Sequence, residues 1–475
     1  MVTLIQPLIQ RLPQAGLCTL VLALLTACAA PSPPMPPMLT ANQLSLSTLP
    51  QSPDFARGAW WQALRDPELD QLLKQALAAN PKLTLAAAKV AAARANEAIA
   101  ASGSGPTVNG QAALNRQRYS ADGLIPPPIA GTWQTYSQVG LSLNYSFDLW
   151  GKIRERVAAA AGASRAAELE QASAQQWLAA EVVTQYLVWR AAQQEIMLQQ
   201  AALHASEQLA QKSKTLKRAG LVSRDAQNEQ TLLLAEARTA LIAAQLASSN
   251  AQAALAALTL TSQADLAAQA PRALPAWPIN TAGLRLNQLA QRPELLAAKY
   301  QVESAAALVR AAQADFYPDI SLSALIGLSS LSTATLFDSA SRRLGLTPAI
   351  SLPIFEAGAL QGALDLQHAH YASAIAIYNQ TLLDIANQSA TSLARQQAAL
   401  KIEAEAKLSA TAAEQLANSA RLRQRAGLSP ASETLQSHLS HVNSRLALLQ
   451  AQRDRLIAQT SLIRAMGATD SKETP

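Results

Sequence analysis

Aromatic residues make up only 4% of the 475-residue chain, although 49% of it is hydrophobic. Alanine carries the difference. It lets helices pack closely side by side but cannot fill a wide globular core, so the composition favours an elongated helical body. The two cysteines, Cys18 and Cys28, both fall in the first 28 residues, which excludes a disulfide framework. The net charge of +6 comes with no block of basic residues interleaved with aromatics, so nucleic acid is not an expected partner. Beyond the first 27 residues no unbroken apolar run reaches the roughly 18 residues of a membrane-spanning helix. Neither a phosphate-cradling glycine loop nor a nucleophile elbow nor a zinc pattern is present, so neither an enzyme nor a metal or cofactor is expected. His438 and His441 share a helix face without an acidic neighbour, and His368 and His370 point to different faces, which makes poor ligand sets.

Helix breakers are missing from two long stretches. Lys152 to Arg218 has no proline and one glycine, Gly162, over 67 residues. Such a stretch predicts a single helix, roughly 100 Å long at about 1.5 Å per residue. Before it, Val139, Leu141, Leu143, Tyr145 and Phe147 alternate with Gly140, Ser142, Asn144, Ser146 and Asp148, the period of a strand with one apolar face. Asp148 is a candidate cap for the helix, and Gly151 permits the bend from strand to helix. Trp150 is expected near the membrane end. After Gly220 a return helix of about 38 residues follows. The second half repeats this order. The offset is 207 for both Gly151/Gly358 and Gly220/Gly427, which points to duplication. Each return helix is much shorter than its partner. The helices Leu83–Ala101 and Glu294–Asp315 have about the missing length, and we expect them to stack end to end with the return helices. Pro348 and Pro353 argue for a distorted fourth strand. The four alternating segments, around Val108–Leu114, Val139–Phe147, Ile320–Leu328 and Leu344–Ile354, have the length of membrane-crossing strands. Four strands cannot close a barrel, and an open edge cannot sit in lipid, so several chains must share one.

The N-terminus reads as an export signal over residues 1–27, with Arg11 before the apolar run Leu17 to Leu25. Leu25-Thr26-Ala27-Cys28 resembles a bacterial lipobox, which implies that Cys28 is lipidated. Ala29, where an aspartate would favour inner-membrane retention, is compatible with the outer membrane. Residues 28–60 are a proline-rich tether, 61–265 a first repeat, 266–285 a linker, 286–467 a second repeat and 468–475 a disordered tail.

The order and spacing of several segments resemble the outer-membrane factor family, the TolC-like channels, and within it the lipoprotein branch serving RND-type efflux. They are Phe147-Asp148-Leu149-Trp150-Gly151-Lys152-Ile153-Arg154, Arg218-Ala219-Gly220-Leu221, Phe316-Tyr317-Pro318-Asp319-Ile320, Ser351-Leu352-Pro353-Ile354-Phe355 and Arg425-Ala426-Gly427-Leu428-Ser429. The resemblance implies a mainly helical fold with a membrane β part. Three chains would share a twelve-stranded barrel continued by a coiled-coil tunnel. It also implies a passive efflux duct for small molecules, with a periplasmic adaptor and an inner-membrane pump as partners. The other readings are an exit duct for type I protein secretion and an adaptor-like coiled coil without a pore.

Gly220 and Gly427 fit helix C-caps, with Leu221 and Leu428 as the apolar residues that accompany such caps. Ser429 and Pro430 fit N-cap and first-turn positions of the second return helix, and Ser223 caps the first. By resemblance, Gly220, Leu221, Gly427 and Leu428 contact the adaptor. Lys212, Lys214, Lys217 and Arg218 before the first tip and Arg421, Arg423 and Arg425 before the second, with Asp225 and Glu433 as acidic partners, are candidates for ion pairs that hold the tip closed. Relatives carry a constricting aspartate ring where this chain has Gln436.

Overall fold

A computed structural model describes residues 36–40, 59–277 and 291–467. The chain divides into two units, Met1–Pro37 and Met38–Pro475. Of the first only Pro36 and Pro37 are described, and every described helix and strand belongs to the second. The signal segment, Cys28, most of the tether, the linker from residue 278 and the tail at 468–475 lie outside the described residues.

The first repeat begins with a 3-10 turn, Trp60–Leu64, and continues as α1 (Pro67–Ala79), α2 (Pro81–Ser102), β1 (Thr107–Arg118), β2 (Trp133–Phe147), α3 (Lys152–Arg218), α4 (Arg224–Thr259) and α5 (Gln263–Ala267). The second comprises α6 (Pro293–Ala314), β3 (Asp319–Ser330), β4 (Arg342–Ser351), α7 (Ala359–Arg425) and α8 (Ala431–Met466). Pro67, Pro81 and Pro293 each open a helix at its start, where a missing N–H costs no bond. Asp66 caps α1 by accepting from the N–H groups of Glu68 and Leu69, and Asn80 caps α2 by accepting from that of Lys82.

The long helices α3 and α7 have 67 residues each and their return helices α4 and α8 have 36 each. The short helices fill the shortfall. Asn80 Nδ2 donates to Leu258 O at 2.9 Å, so the start of α2 abuts the end of α4. Arg292 Nη1 donates to Ala465 O at 3.3 Å, so the start of α6 abuts the end of α8. Both α2 and α4 pack antiparallel on α3, with ion pairs Arg94–Glu168 at 2.7 Å and Arg238–Glu207 at 3.7 Å. The α6–α8 column packs on both α3 and α7. The outer side of the α2–α4 column is left to solvent, with Leu85, Ile99, Leu232, Ile242 and Leu246 exposed. The helix α4 is apolar on average without an unbroken apolar run. It is long and apolar enough by length and composition alone to cross a membrane. Its apolarity comes from alanine and leucine spaced by Gln245, Ser248, Asn250 and Gln252, and it lies along α3 in the helical body.

The four strands form one antiparallel sheet in the order β1-β2-β3-β4. The register of β3 and β4 runs unbroken from Arg342 to Ser351, with Pro348 opposite Leu322. The distortion expected at Pro348 is therefore absent. The strand lies at the edge of the sheet, where proline is tolerated, and it ends before Pro353. Opposite residues share a face, and the three registers sort the sheet into an apolar and a polar side. Val108, Leu114, Leu141, Ile326, Leu344 and Leu346 lie on the first, and all six are exposed. Asn109, Gln111, Gln138, Ser142, Ser323 and Thr347 lie on the second, where Ser323 Oγ donates to Asn144 Oδ1 at 2.9 Å.

The main core sits midway along α3. Leu178, Val182, Val183, Tyr186, Leu187 and Trp189 are buried there against Leu69 and Leu73 of α1, Leu255 of α4 and Leu456 of α8. Trp60 stacks on Trp277 with ring centres 5.8 Å apart, and Trp277 O accepts from Arg455 Nη1 at 3.3 Å. The first part of the expected linker is thus built into the core. Arg190, 1% exposed, pairs with Glu68, donates to Ala270 O at 3.0 Å and lies over the Trp189 ring at 4.5 Å. Tyr186 donates to Asp66 Oδ2 at 2.5 Å.

Candidate functional site

The candidate residues fall at the two ends of α3 and α7. At the sheet end, the Asp148 carboxylate accepts from Ile153 N at 2.9 Å and Arg154 N at 2.8 Å, one bond on each oxygen. These satisfy two of the four N–H groups that a helix start leaves without partners. Gly151 takes φ +79° between strand and helix, and Gly358 takes φ +86° at the start of α7. In the second copy Phe355 stands where the first has Asp148, and α7 has no side-chain cap. Trp150 stacks on Tyr317 at 4.8 Å, and its indole N–H donates to Pro318 O at 2.8 Å, tying the start of α3 to the entry of β3.

At the far end both long helices stop in the same way. Gly220 has φ +72°; its N–H donates to Lys217 O at 2.9 Å, and Leu221 N donates to Leu216 O at 2.9 Å. Gly427 also has φ +72°; its N–H donates to Gln424 O at 3.0 Å, and Leu428 N donates to Arg423 O at 2.8 Å. This pair of bonds is a Schellman cap, which needs a left-handed residue at the glycine position. Leu221 is 73% and Leu428 77% exposed, so the apolar side chains stand out at the tips.

Ser223 Oγ accepts from Ala226 N at 3.2 Å and caps α4. The second return helix departs from expectation. It starts at Ala431 with Pro430 at the N-cap in extended conformation, and Ser429 Oγ is buried without a partner. Pro430 stands 207 residues after Ser223, so the repeated turn sets where the helix starts, ahead of the local preference of serine for the cap. Among the described residues, one of the candidate tip ion pairs forms. Glu433 is 2.7 Å from Arg423, not from Arg425. Both partners are about half exposed, and such pairs contribute roughly 0–1 kcal/mol. In the first copy Lys217 Nζ donates to Gln227 Oε1, while Arg218 and Asp225 are not brought together. Gln436 lies exposed on α8. Burial, then His441 and Arg421, hold the His438 imidazole below its usual range. No group of three metal-binding side chains occurs among the described residues.

An exposed sheet with one apolar face leads into helices that end in two identical apolar tips. The family profile of outer membrane efflux proteins matches residues 72–259 and 285–468. The chain belongs to the outer membrane efflux protein family. It is similar to the multidrug resistance outer membrane protein MdtQ of Escherichia coli O157:H7, 31% identical over 335 residues, covering 68% of this chain and 70% of that one. It is also similar to MdtP of Escherichia coli K12, a multidrug resistance outer membrane protein, 27% identical over 425 residues, covering 88% of this chain and 87% of that one. Among solved structures, the outer membrane protein VceC of Vibrio cholerae superimposes with a TM-score of 0.78 at 27% identity, over 88% of this chain and all of that one (100%). The fold is that of the TolC-like channels, and the protein is an outer-membrane efflux component. Members of the family are channels rather than enzymes.

Of this efflux protein, one feature was not singled out from its sequence and another was singled out only in part. The core around Arg190 and Glu68 is one. Its signal was the concentration of tryptophan: five of the seven, Trp60, Trp61, Trp177, Trp189 and Trp277, are core residues or pack against it. The other is the pairing of Glu433: Arg423 is one of three candidate arginines before the second tip, and which of them faces Glu433 is set by packing.

Proposed function

We propose that three copies form the outer-membrane duct of a tripartite efflux system. The observation that carries this is the sheet. Its one apolar face is exposed, its other face is polar, and its edges at β1 and β4 have no partner strand among the described residues. Lipid tolerates no such edge. Joining β1 of one copy to β4 of the next removes every edge and closes a twelve-stranded barrel with a polar lumen. The exposed leucines of the α2–α4 column then face those of the next copy's α7, where Leu366, Ile377, Ile402 and Leu408 are exposed. The 67-residue helices carry the tunnel across the periplasm. Gly220, Leu221, Gly427 and Leu428 dock on the hairpins of a periplasmic adaptor, and an RND-type inner-membrane pump supplies the energy. Arg218, Asp225, Arg425, Glu433 and Gln436 line the resting tip. Asp148, Gly151 and Gly358 mark where barrel gives way to tunnel, and lipid on Cys28 anchors each chain. Because relatives are named for multidrug resistance, the exported class is small toxic molecules.

The test is complementation of an efflux-deficient strain. The native chain should restore drug tolerance. Leu221→Asp with Leu428→Asp should lose it while trimers persist on native gels. Full tolerance in that variant would refute the docking role. Absence of conductance from purified native protein in planar bilayers would refute the duct.

A further inference from the structure

The registers place three arginines on the apolar face, all at one end of the sheet. Arg116 is opposite Thr135 and Arg118 opposite Trp133, in line with Leu114 and Leu141. Arg342 is opposite Leu328, in line with Leu344 and Leu346. This end lies away from the helices: β1 runs toward it from α2, and β4 returns from it toward α7. All three residues are exposed, and none is in an ion pair among the described residues. Arg116 lies over the Trp133 ring at 5.8 Å, and Arg118 Nε donates to Gly131 O at 3.2 Å, so both guanidinium groups are held at the margin of the apolar band. The carboxylates at this end, Asp122 and Asp338, are in the connections beyond the strands. The neighbouring Arg343 is opposite Gly327 and belongs to the polar face. A cation facing the bilayer is costly at its midplane and is tolerated near an interface. Guanidinium matches phosphate in a forked geometry, which gives it a partner at that depth.

We propose that Arg116, Arg118 and Arg342 bind the phosphate groups of the glycolipid in the outer leaflet of the outer membrane. The proposal rests on the barrel reading. In that barrel β1 of one copy adjoins β4 of the next, which gathers all three arginines at each seam. The occupant is a lipid because the same face continues directly into the exposed band of Leu114, Leu141, Leu344 and Leu346, which fits acyl chains. The site therefore reads a headgroup phosphate and its tails together, at the joint between copies.

The test uses the purified full-length trimer and native mass spectrometry with phosphorylated lipid A and with its phosphate-free counterpart. The native protein should retain the phosphorylated form more tightly by roughly tenfold or more. The triple variant Arg116→Gln, Arg118→Gln, Arg342→Gln should lose that preference, and Arg343→Gln should keep it. Conductance is measured on every preparation. A conducting native trimer with no preference for phosphate overturns the inference and leaves the barrel standing, as does a conducting triple variant that keeps the preference. Native protein that neither trimerises nor conducts overturns the barrel reading and the inference with it. Should the triple variant fail to assemble, the comparison of the two lipids on native protein still decides.

Discussion

At Gly220 and Gly427 the left-handed backbone meets open space where a Cβ would stand, with nothing within 4 Å. Alanine there would strain the torsion without a clash, at a cost of about 1–2 kcal/mol. Gly220→Ala and Gly427→Ala should therefore speed hydrogen exchange at the tips, read at Leu221 and Leu428, with trimer content unchanged. A different balance holds at Arg190. Burial pushes the Glu68 carboxyl above its usual range, while Arg190 pulls it down. A carboxyl raised by folding binds its proton more tightly when folded, so it weakens the fold as pH rises through that range. Removing the Arg190 cation leaves the half-buried carboxylate with only the exposed Arg272, 3.7 Å away, as a charged partner among the described residues. Arg190→Ala should cost about 3–5 kcal/mol at pH 8 by thermal melting. The deficit should shrink as pH falls and Glu68 takes up its proton; a pH-independent deficit would assign the loss to packing instead.

At the scale of elements, the two copies differ in one informative place. The start of α3 has the Asp148 carboxylate on two N–H groups, and the start of α7 has no such group. Asp148→Ala should cost about 1 kcal/mol and raise exchange in the first turn of α3 to the level of the first turn of α7. That cap was legible in the sequence, because Asp148, Gly151 and the helix they serve are neighbours along the chain. The start of α8 was misread for the opposite reason. Ser429 fits a cap by residue type, but the repeated turn places Pro430 there. The stacking of short helices on return helices was legible from length alone. Its fastening was not: Asn80 meets Leu258 and Arg292 meets Ala465, pairs 178 and 173 residues apart.

For the whole molecule, the proposed barrel makes a one-sided demand on the sheet. Leu346 is on the apolar face and Thr347 on the polar face, adjacent along one strand. Leu346→Arg should cost about 2–4 kcal/mol in the bilayer and deplete heat-resistant trimers in outer-membrane fractions. Thr347→Arg should leave trimers intact and alter only conductance. Equal loss in both would overturn the assignment of lipid to one face alone.

Alternation with period two, the absence of breakers over 67 residues and the 207-residue offset settled by themselves that the chain holds four two-faced strands and two long rods in a duplicated plan. These are properties of short runs of residues, fixed by backbone geometry. Only the tertiary structure decided that the second repeat's column packs between both rods while the first repeat's column keeps an open side. It alone seated Trp277 on Trp60, paired Glu433 with Arg423 and brought Arg116, Arg118 and Arg342 to one end of one face. Such contacts depend on which sides of distant segments pack together, and no local pattern in the chain specifies that choice.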